Sequence, residues 1–365
     1  MDFSFYRPED QRLADMLPHV HLLDMNTDTL AKRTDIPHYP VWMPDGSYTF
    51  LHEAAIIEYK GTLFASWYNC PKLELQGHTP IRGSRSIDGG KTWSPVEVLM
   101  EDPAGKIIYC PPVYGICDGK LYMMVNQMVA PDHMHSLDLY VYHEDTERFE
   151  FVWSRPVPFK LNTNVYHLPN GKLMMPGRIA ELDGFPNTPA VLISDSGKMD
   201  GEWRLVYIRP DGDLPDGEKL VHPEIAAMIE DGVIYMFCRD DLRQVPLVYL
   251  SRDMGESWEG PCASDVPFSS SKIYAGDLAD GRHYAIGNLD EYRSRLAIFF
   301  TRPHESLFTE GFLLQDGYCE SLRMGKRWHY PVCWESDGKL YVIYTVSIEE
   351  PHRGAVLSVI DLKTV

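Results

Sequence analysis

The sequence predicts an all-β protein, a single six-bladed β-propeller of four-stranded antiparallel blades spanning residues 1–365. Two observations carry this expectation. One phrase, a tight turn followed by a strand, is written six times: KGTLFASW around Gly61, DGKLYMMV around Gly119, NGKLMMPG around Gly171, DGVIYMFC around Gly232, DGRHYAIG around Gly281 and DGKLYVIY around Gly338. The glycines stand 58, 52, 61, 49 and 57 residues apart with no good helical segment between them. A repeat of about 55 residues without helix is that of a propeller blade.

Each blade can be read from this phrase. Asp-Gly and Asn-Gly supply the positive φ of a hairpin turn, and the apolar, β-branched or aromatic run that follows is strand material. The innermost strand precedes the turn and the second strand follows it, so the start of the first and the end of the second emerge on one face. The expected first-strand starts are His52-Glu53, Pro111-Pro112, Asn162 to Asn164, His222-Pro223-Glu224, Tyr274 to Asp277, and His329-Tyr330. Seven residues past each glycine stand Tyr68, Asn126, Arg178, Arg239, Asn288 and Thr345. These two sets predict a polar ring around one mouth of the central channel. The loop Val129 to His135 is expected to extend over that mouth. An open sheet edge invites aggregation, so the N-terminal segment around His19 to Leu23 is expected to pair with the final strand, VLSVIDL, and close the ring.

Composition narrows the function classes. Hydrophobic residues make up 44% and charged residues 24%, enough for a globular core. The formal net charge of −19 excludes a surface that binds nucleic acid by neutralising phosphates, while a few arginines in one pocket can still hold a small acidic ligand. No apolar run reaches 18 residues, so no membrane partner is expected. The opening MDFSFYRPED lacks the basic and apolar regions of a secretory signal. Seven cysteines without CxxC spacing read as free thiols, which makes the cytoplasm the expected compartment. The histidines follow no metal-binding spacing, so neither metal nor cofactor is expected. The expected partner is a carbohydrate, with self-association into a homo-oligomer left open.

SIDGGKTW, residues 86–93, fits S-x-D-x-G-x-T-W, and SRDMGESW, residues 251–258, fits it with Ser for Thr; a degenerate copy lies near Ser194 to Trp203. By the repeat count these follow the third strand of their blades, on the face opposite the polar ring. Asp and Ser or Thr side chains bond nearby backbone, and Gly takes the left-handed conformation. Asp88 is therefore expected to lock a turn rather than do chemistry. The motif resembles the Asp box of the sialidase (neuraminidase) superfamily, also called BNR repeats, whose six-bladed propellers carry the active site opposite the boxes. The resemblance covers most of the chain.

Carried over position by position, the resemblance implies a site in which Glu224 of VHPEIAAM and Arg239 of MFCRDD come from the fourth blade. It matches a second family arginine to Arg293 in GNLDEYRSRLAI, with Arg295 the competing choice, and the family's tyrosine nucleophile to Tyr330 of HYPVCWES. Two positions depart from the pattern: His52 stands where the first arginine would, and HTPIRGSRSID offers His78, Thr79 and Arg82 but no acid/base carboxylate. The resemblance thus implies an exo-acting glycoside hydrolase for a terminal acidic sugar, sialic acid or a related uronic or 2-keto sugar, of short oligosaccharides. Tyr330 assisted by Glu224 would attack, and His52, Glu53 or His78 would serve as acid/base. Arg239, Arg293, Arg178, Tyr68, Asn126, His222, Asp277 and His329 are the expected substrate-binding residues. A lyase acting on uronates through His and Tyr, and a glycan-binding propeller without catalysis, remain open alternatives.

Overall fold

The computed structural model describes residues 14–179, 187–208, 214, 217, 219–349 and 351–365. Six antiparallel sheets follow one another along the chain. Blade 1 comprises Phe50–Tyr59, Thr62–Cys70, Ile81–Ser86 and Glu97–Met100. Blade 2 comprises Ile108–Cys117, Lys120–Ala130, His133–His143 and Arg148–Arg155. In blade 3 a broken inner strand, Phe159–Leu161 and Tyr166–His167, pairs with Leu173–Ile179, followed by Thr188–Ser194 and Arg204–Tyr207. Blade 4 holds Ile225–Glu230, Val233–Cys238, Leu247–Ser251 and Glu259–Ser264. Blade 5 holds Tyr274–Asp277, His283–Asn288, Arg295–Thr301 and Phe308–Asp316. Blade 6 consists of Arg327–Ser336, Lys339–Glu349 and His352–Asp361, completed by an N-terminal strand.

The six repeated glycines all sit in the hairpins between first and second strands, each with positive φ. In blades 1, 2, 4 and 6 the residue before the glycine (Lys60, Asp118, Asp231, Asp337) also has positive φ, the backbone of a type I′ turn. Inner strands of successive blades touch in order, and blade 6 returns against blade 1. The apolar core lies in the wedges between blades. Separate buried clusters fill the 1/2, 2/3, 3/4 and 4/5 contacts, and a larger one spans blades 5, 6 and 1.

The ring is closed by a different segment from the one expected. His38–Trp42 pairs antiparallel with His352–Asp361 as the fourth strand of blade 6. His19–Val20 instead runs parallel to the outer strand of blade 4, and Leu23 and Lys32 bridge to Phe308 and Leu313 on the outer strand of blade 5. The stretch from His19 to Trp42 thereby covers three consecutive outer edges, each of which would otherwise present unpaired backbone groups.

Both full Asp boxes follow third strands, on the face opposite the ends of the second strands. In the first, Ser86 Oγ donates to Asp88 Oδ1 at 2.8 Å, and Asp88 also accepts from the Thr92 amide and hydroxyl at 3.0 and 2.7 Å. In the second, Asp253 repeats this set with Ser251 and Ser257. The hydrogen bonds from Thr92 and Ser86 hold the Asp88 carboxyl at about 2. The third copy is different: Ser194 bonds the Lys198 backbone, while Asp195 turns outward to Arg204 and Lys172. Replacing Asp253 with Ala should lower the unfolding free energy by about 1–2 kcal/mol, seen as a lower denaturant midpoint, without changing ligand binding on the opposite face.

Candidate active site

The second strands bring the residues seven past each glycine to one mouth, and backbone irregularities in the first strands aim side chains into it. The register between first and second strands shifts between His52 and Ala55, between Tyr109 and Pro112, and between His329 and Val332. A bulge of this kind re-aims the extra residue's side chain. In blades 1 and 6 the extra residues are Glu53 and Tyr330, with φ of 47° and 52°. His222 and Arg293, at φ of 52° and 57°, are likewise left-handed non-glycine residues at this mouth. Such conformations cost of order 1 kcal/mol or more each, and here they gather around one site.

Arg239 is the centre of the cluster. Its Nη1 donates to Glu224 Oε2 at 2.6 Å and to the Tyr330 hydroxyl at 2.8 Å. Its Nε and Nη2 form a two-pronged pair with Asp241 at 2.7 and 2.9 Å, and Asp241 meets His222 Nδ1 at 2.7 Å. Burial alone would raise the Glu224 carboxyl, but the charges of Arg239, Lys272 and Arg178 overcome it and hold Glu224 at about 2. Around the Tyr330 ring, Lys272 Nζ lies 5.4 Å from the centroid, Arg293 Cζ 5.5 Å and Arg239 Cζ 5.9 Å. Burial pushes the Tyr330 phenol up to about 12, opposed by Arg239 and Arg293 and assisted by Glu224. Tyr330 is thus a neutral phenol at ordinary pH.

His52 lies under this tyrosine, its ring 4.1 Å from that of Tyr330 and inclined by 25°. It is 2% exposed, and Nδ1 meets Thr345 Oγ1 at 3.2 Å. Burial, followed by the positive charge of Arg353, pushes its pKa well below the ordinary imidazole value. A buried imidazole kept neutral packs as a flat support against the tyrosine face. Arg353, from the third strand of blade 6, packs over Phe50 at 4.6 Å. His329 lies between Arg293 Nη1 at 3.2 Å and Ser347 Oγ at 2.8 Å, and is also held neutral by burial and Arg293. Glu53 Oε2 faces Lys272 Nζ at 3.2 Å. Tyr68 is buried, edge-on to His52, with its hydroxyl on Glu74.

Arg293, not Arg295, reaches the cluster: Arg295 opens the next strand and its amide bonds Asp290. Two expected residues do other work. Asn126 is fully buried, donating to Phe159 O and accepting from Leu161 N, so it braces blade 2 against blade 3. Asp277 lies at the hairpin end of its strand, on the opposite face, where it pairs with His283 at 2.7 Å. The inner strand of blade 5 is only four residues long, so the residue that reaches the mouth from it is Lys272, before the strand. His78 and Arg82 belong to a rim network, His78 with Tyr48 and Glu101, Arg82 with Asn69 and Asp45. Asp241 and Lys272 were missed by the sequence reading. The first had a signal, since it stands only two residues past Arg239, where the chain leaves the strand and turns, within reach of that guanidinium.

The model of a family described as a BNR repeat-like domain matches residues 156–342. The chain belongs to that family. Solved structures agree on the fold of this sialidase-like BNR propeller. It superposes on a sialidase described as Hadza microbial with a TM-score of 0.69 and 14% identity, covering 90% of this chain and 69% of that one. The intramolecular trans-sialidase from Ruminococcus gnavus gives 0.67 and 10%, covering 89% and 97%. A protein of unknown function from Dyadobacter fermentans gives 0.68 and 13%, covering 90% and 99%. At these identities the likeness is one of fold. No curated protein matches the BNR propeller. No helix among the described residues is long and apolar enough to cross a membrane.

The depressed Glu224 carboxyl fixes a pH dependence. A carboxyl with a folded pKa of about 2 stabilises the fold above its unfolded value and loses that contribution as pH falls through the folded one. Glu224→Gln should therefore cost about 2–4 kcal/mol at pH 7. Urea titrations should show the gap to wild type closing as the pH falls from about 4.5 to about 2.

Proposed function

We propose that this propeller is a glycoside hydrolase acting on the terminal acidic sugar of short oligosaccharides, with Tyr330 as nucleophile. The observation that carries the reading is the Tyr330 hydroxyl, sharing one Arg239 nitrogen with Glu224 inside a ring of cations. Arg239 and Arg293 would bind the sugar carboxylate. A carboxylate nucleophile would be repelled by that charge, and a neutral phenol is not. Bringing an anion to Arg239 also weakens its hold on Glu224, raising the Glu224 pKa and making it a better base for the phenolic proton. Tyr330 Oη would then bond to the anomeric carbon as the glycosidic bond breaks. Water would subsequently release the sugar from Tyr330. The leaving oxygen would take its proton from the Lys272 ammonium, which the Glu53 carboxylate holds beside Tyr330, and the proton taken up by Glu224 would return to Tyr330 Oη as water releases the sugar.

One observation favours a second reading. His52 is held neutral and stacked on Tyr330, and a neutral imidazole or phenol beside arginines suits removal of the C5 proton of a bound uronate. The two are separated by a screen of sialosides, uronosides and neutral glycosides that follows both free sugar and near-ultraviolet absorbance of an unsaturated product. Hydrolysis of an acidic glycoside, lost in Tyr330→Phe and reduced about 10²–10⁴-fold in Glu224→Gln, is the expected result. Unsaturated product would establish the lyase. Binding of an acidic glycan without turnover of any substrate would leave a lectin-like propeller.

A further inference from the structure

Lys160 and Arg178 are directly opposite each other on adjacent antiparallel strands of blade 3, where the strands reach the mouth. They are 7% and 5% exposed. Like charges facing each other across a sheet ladder repel, and removal from water strengthens the repulsion. Among the described residues, no carboxylate of blade 3 pairs with either. The compensating charge comes from blade 2: Asp132 Oδ1 lies 2.9 Å from Lys160 Nζ and 3.2 Å from Arg178 Nη2.

Asp132 stands at the tip of the hairpin between Lys120–Ala130 and His133–His143, with φ of 58° and a side chain 44% exposed. A single carboxylate oxygen thus serves two buried cations from an exposed turn. Arg178 retains further capacity, because its Nε is buried with no hydrogen-bond partner among the described residues. The pair also adjoins the central cluster, since Arg178 acts electrostatically on Glu224, and Lys160 on Glu53 as Glu53 does on Lys160.

We propose that Lys160 and Arg178 form a second oxyanion subsite beside the Tyr330 cluster, occupied by Asp132 when empty of ligand. The subsite takes a second anionic group of the saccharide, a carboxylate or a sulfate ester. Binding exchanges one oxyanion for another: the ligand takes the two cations and Asp132 is released with its hairpin tip into water. This specifies the substrate class as doubly anionic, and in that respect it rests on the reading of the mouth as a site for acidic sugars.

The test uses inorganic sulfate and acetate as probes, titrated calorimetrically into the full-length protein. Asp132→Asn, which removes the competing carboxylate, should bind one of them at least about tenfold more tightly than wild type. Preference for sulfate assigns the subsite to a sulfate ester, and preference for acetate assigns it to a carboxylate. The gain should vanish in Asp132→Asn/Lys160→Gln and persist in Asp132→Asn/Arg293→Gln. No gain in Asp132→Asn, a gain that survives Lys160→Gln, or one that is lost with Arg293→Gln would each overturn the proposal. If Asp132→Asn is less stable, a probe-induced rise in its melting temperature beyond that of the Lys160→Gln double variant reads the same binding. None of these readouts depends on turnover, so failure of the hydrolase reading and failure of the subsite are told apart.

Discussion

The guanidinium of Arg239 is the fixed point of the mouth. It cannot shed its proton, and it is buried, so the chain must bring hydrogen-bond acceptors to it from three directions: the carboxylate of Glu224 just before the first strand of blade 4, that of Asp241 just past the second, and the neutral Tyr330 hydroxyl from blade 6. Two carboxylates around one guanidinium would in turn be one negative charge too many. Lys272 and Arg178 act on Glu224, and His222 faces Asp241. Lys272 then needs Glu53, and the Lys160–Arg178 pair needs Asp132. The alternation of charge around the mouth is what makes so many buried ionic groups tolerable, because a buried charge left without a partner is far more costly than the pair.

Backbone strain serves the same arrangement. Inner strands of a propeller are packed between neighbouring blades, so a regular strand directs its side chains into the two wedges and few of them toward the channel mouth. The bulges at Glu53 and Tyr330 break that alternation and deliver one side chain each to the centre. Glu53 and Tyr330 arrive from adjacent blades, which places a carboxylate, a phenol and the intervening Lys272 in one group. The wedge clusters on both sides of these strands hold the unfavourable φ values in place.

The fold was legible because turn chemistry is local: each Asp-Gly or equivalent needs only its own neighbours to form a hairpin, and six of them at blade spacing leave few alternatives. Glu224, Arg239, Arg293 and Tyr330 meet in the structure for a similar reason, their positions being fixed by short offsets from those hairpins. What depends on strand length or on partners in another blade was not legible. Asp277 was placed at the wrong end of a strand that turned out to be four residues long. Asn126 gave no sign that both ends of its amide would meet the backbone of blade 3. The closing strand was sought at His19 to Leu23, yet that segment is held by the edges of blades 4 and 5, leaving His38–Trp42 for blade 6. The repulsion between Lys160 and Arg178 becomes visible only once register is known.

Register also explains how a chain with a net charge of −19 can present a site for anions. At physiological ionic strength charges separated by more than about 8 Å are largely screened, so the acidic exterior weighs little on a group already inside the mouth. There the field is set by Arg239, Arg293, Lys272, Lys160 and Arg178 against the carboxylates that hold them. A long polyanion would have to lie along the acidic exterior as well, and would meet repulsion at every point beyond the rim. A short saccharide with its charges close together avoids that surface entirely. The distribution of charge therefore favours a small, compact anionic ligand over a polymeric one, independently of the reaction that follows binding.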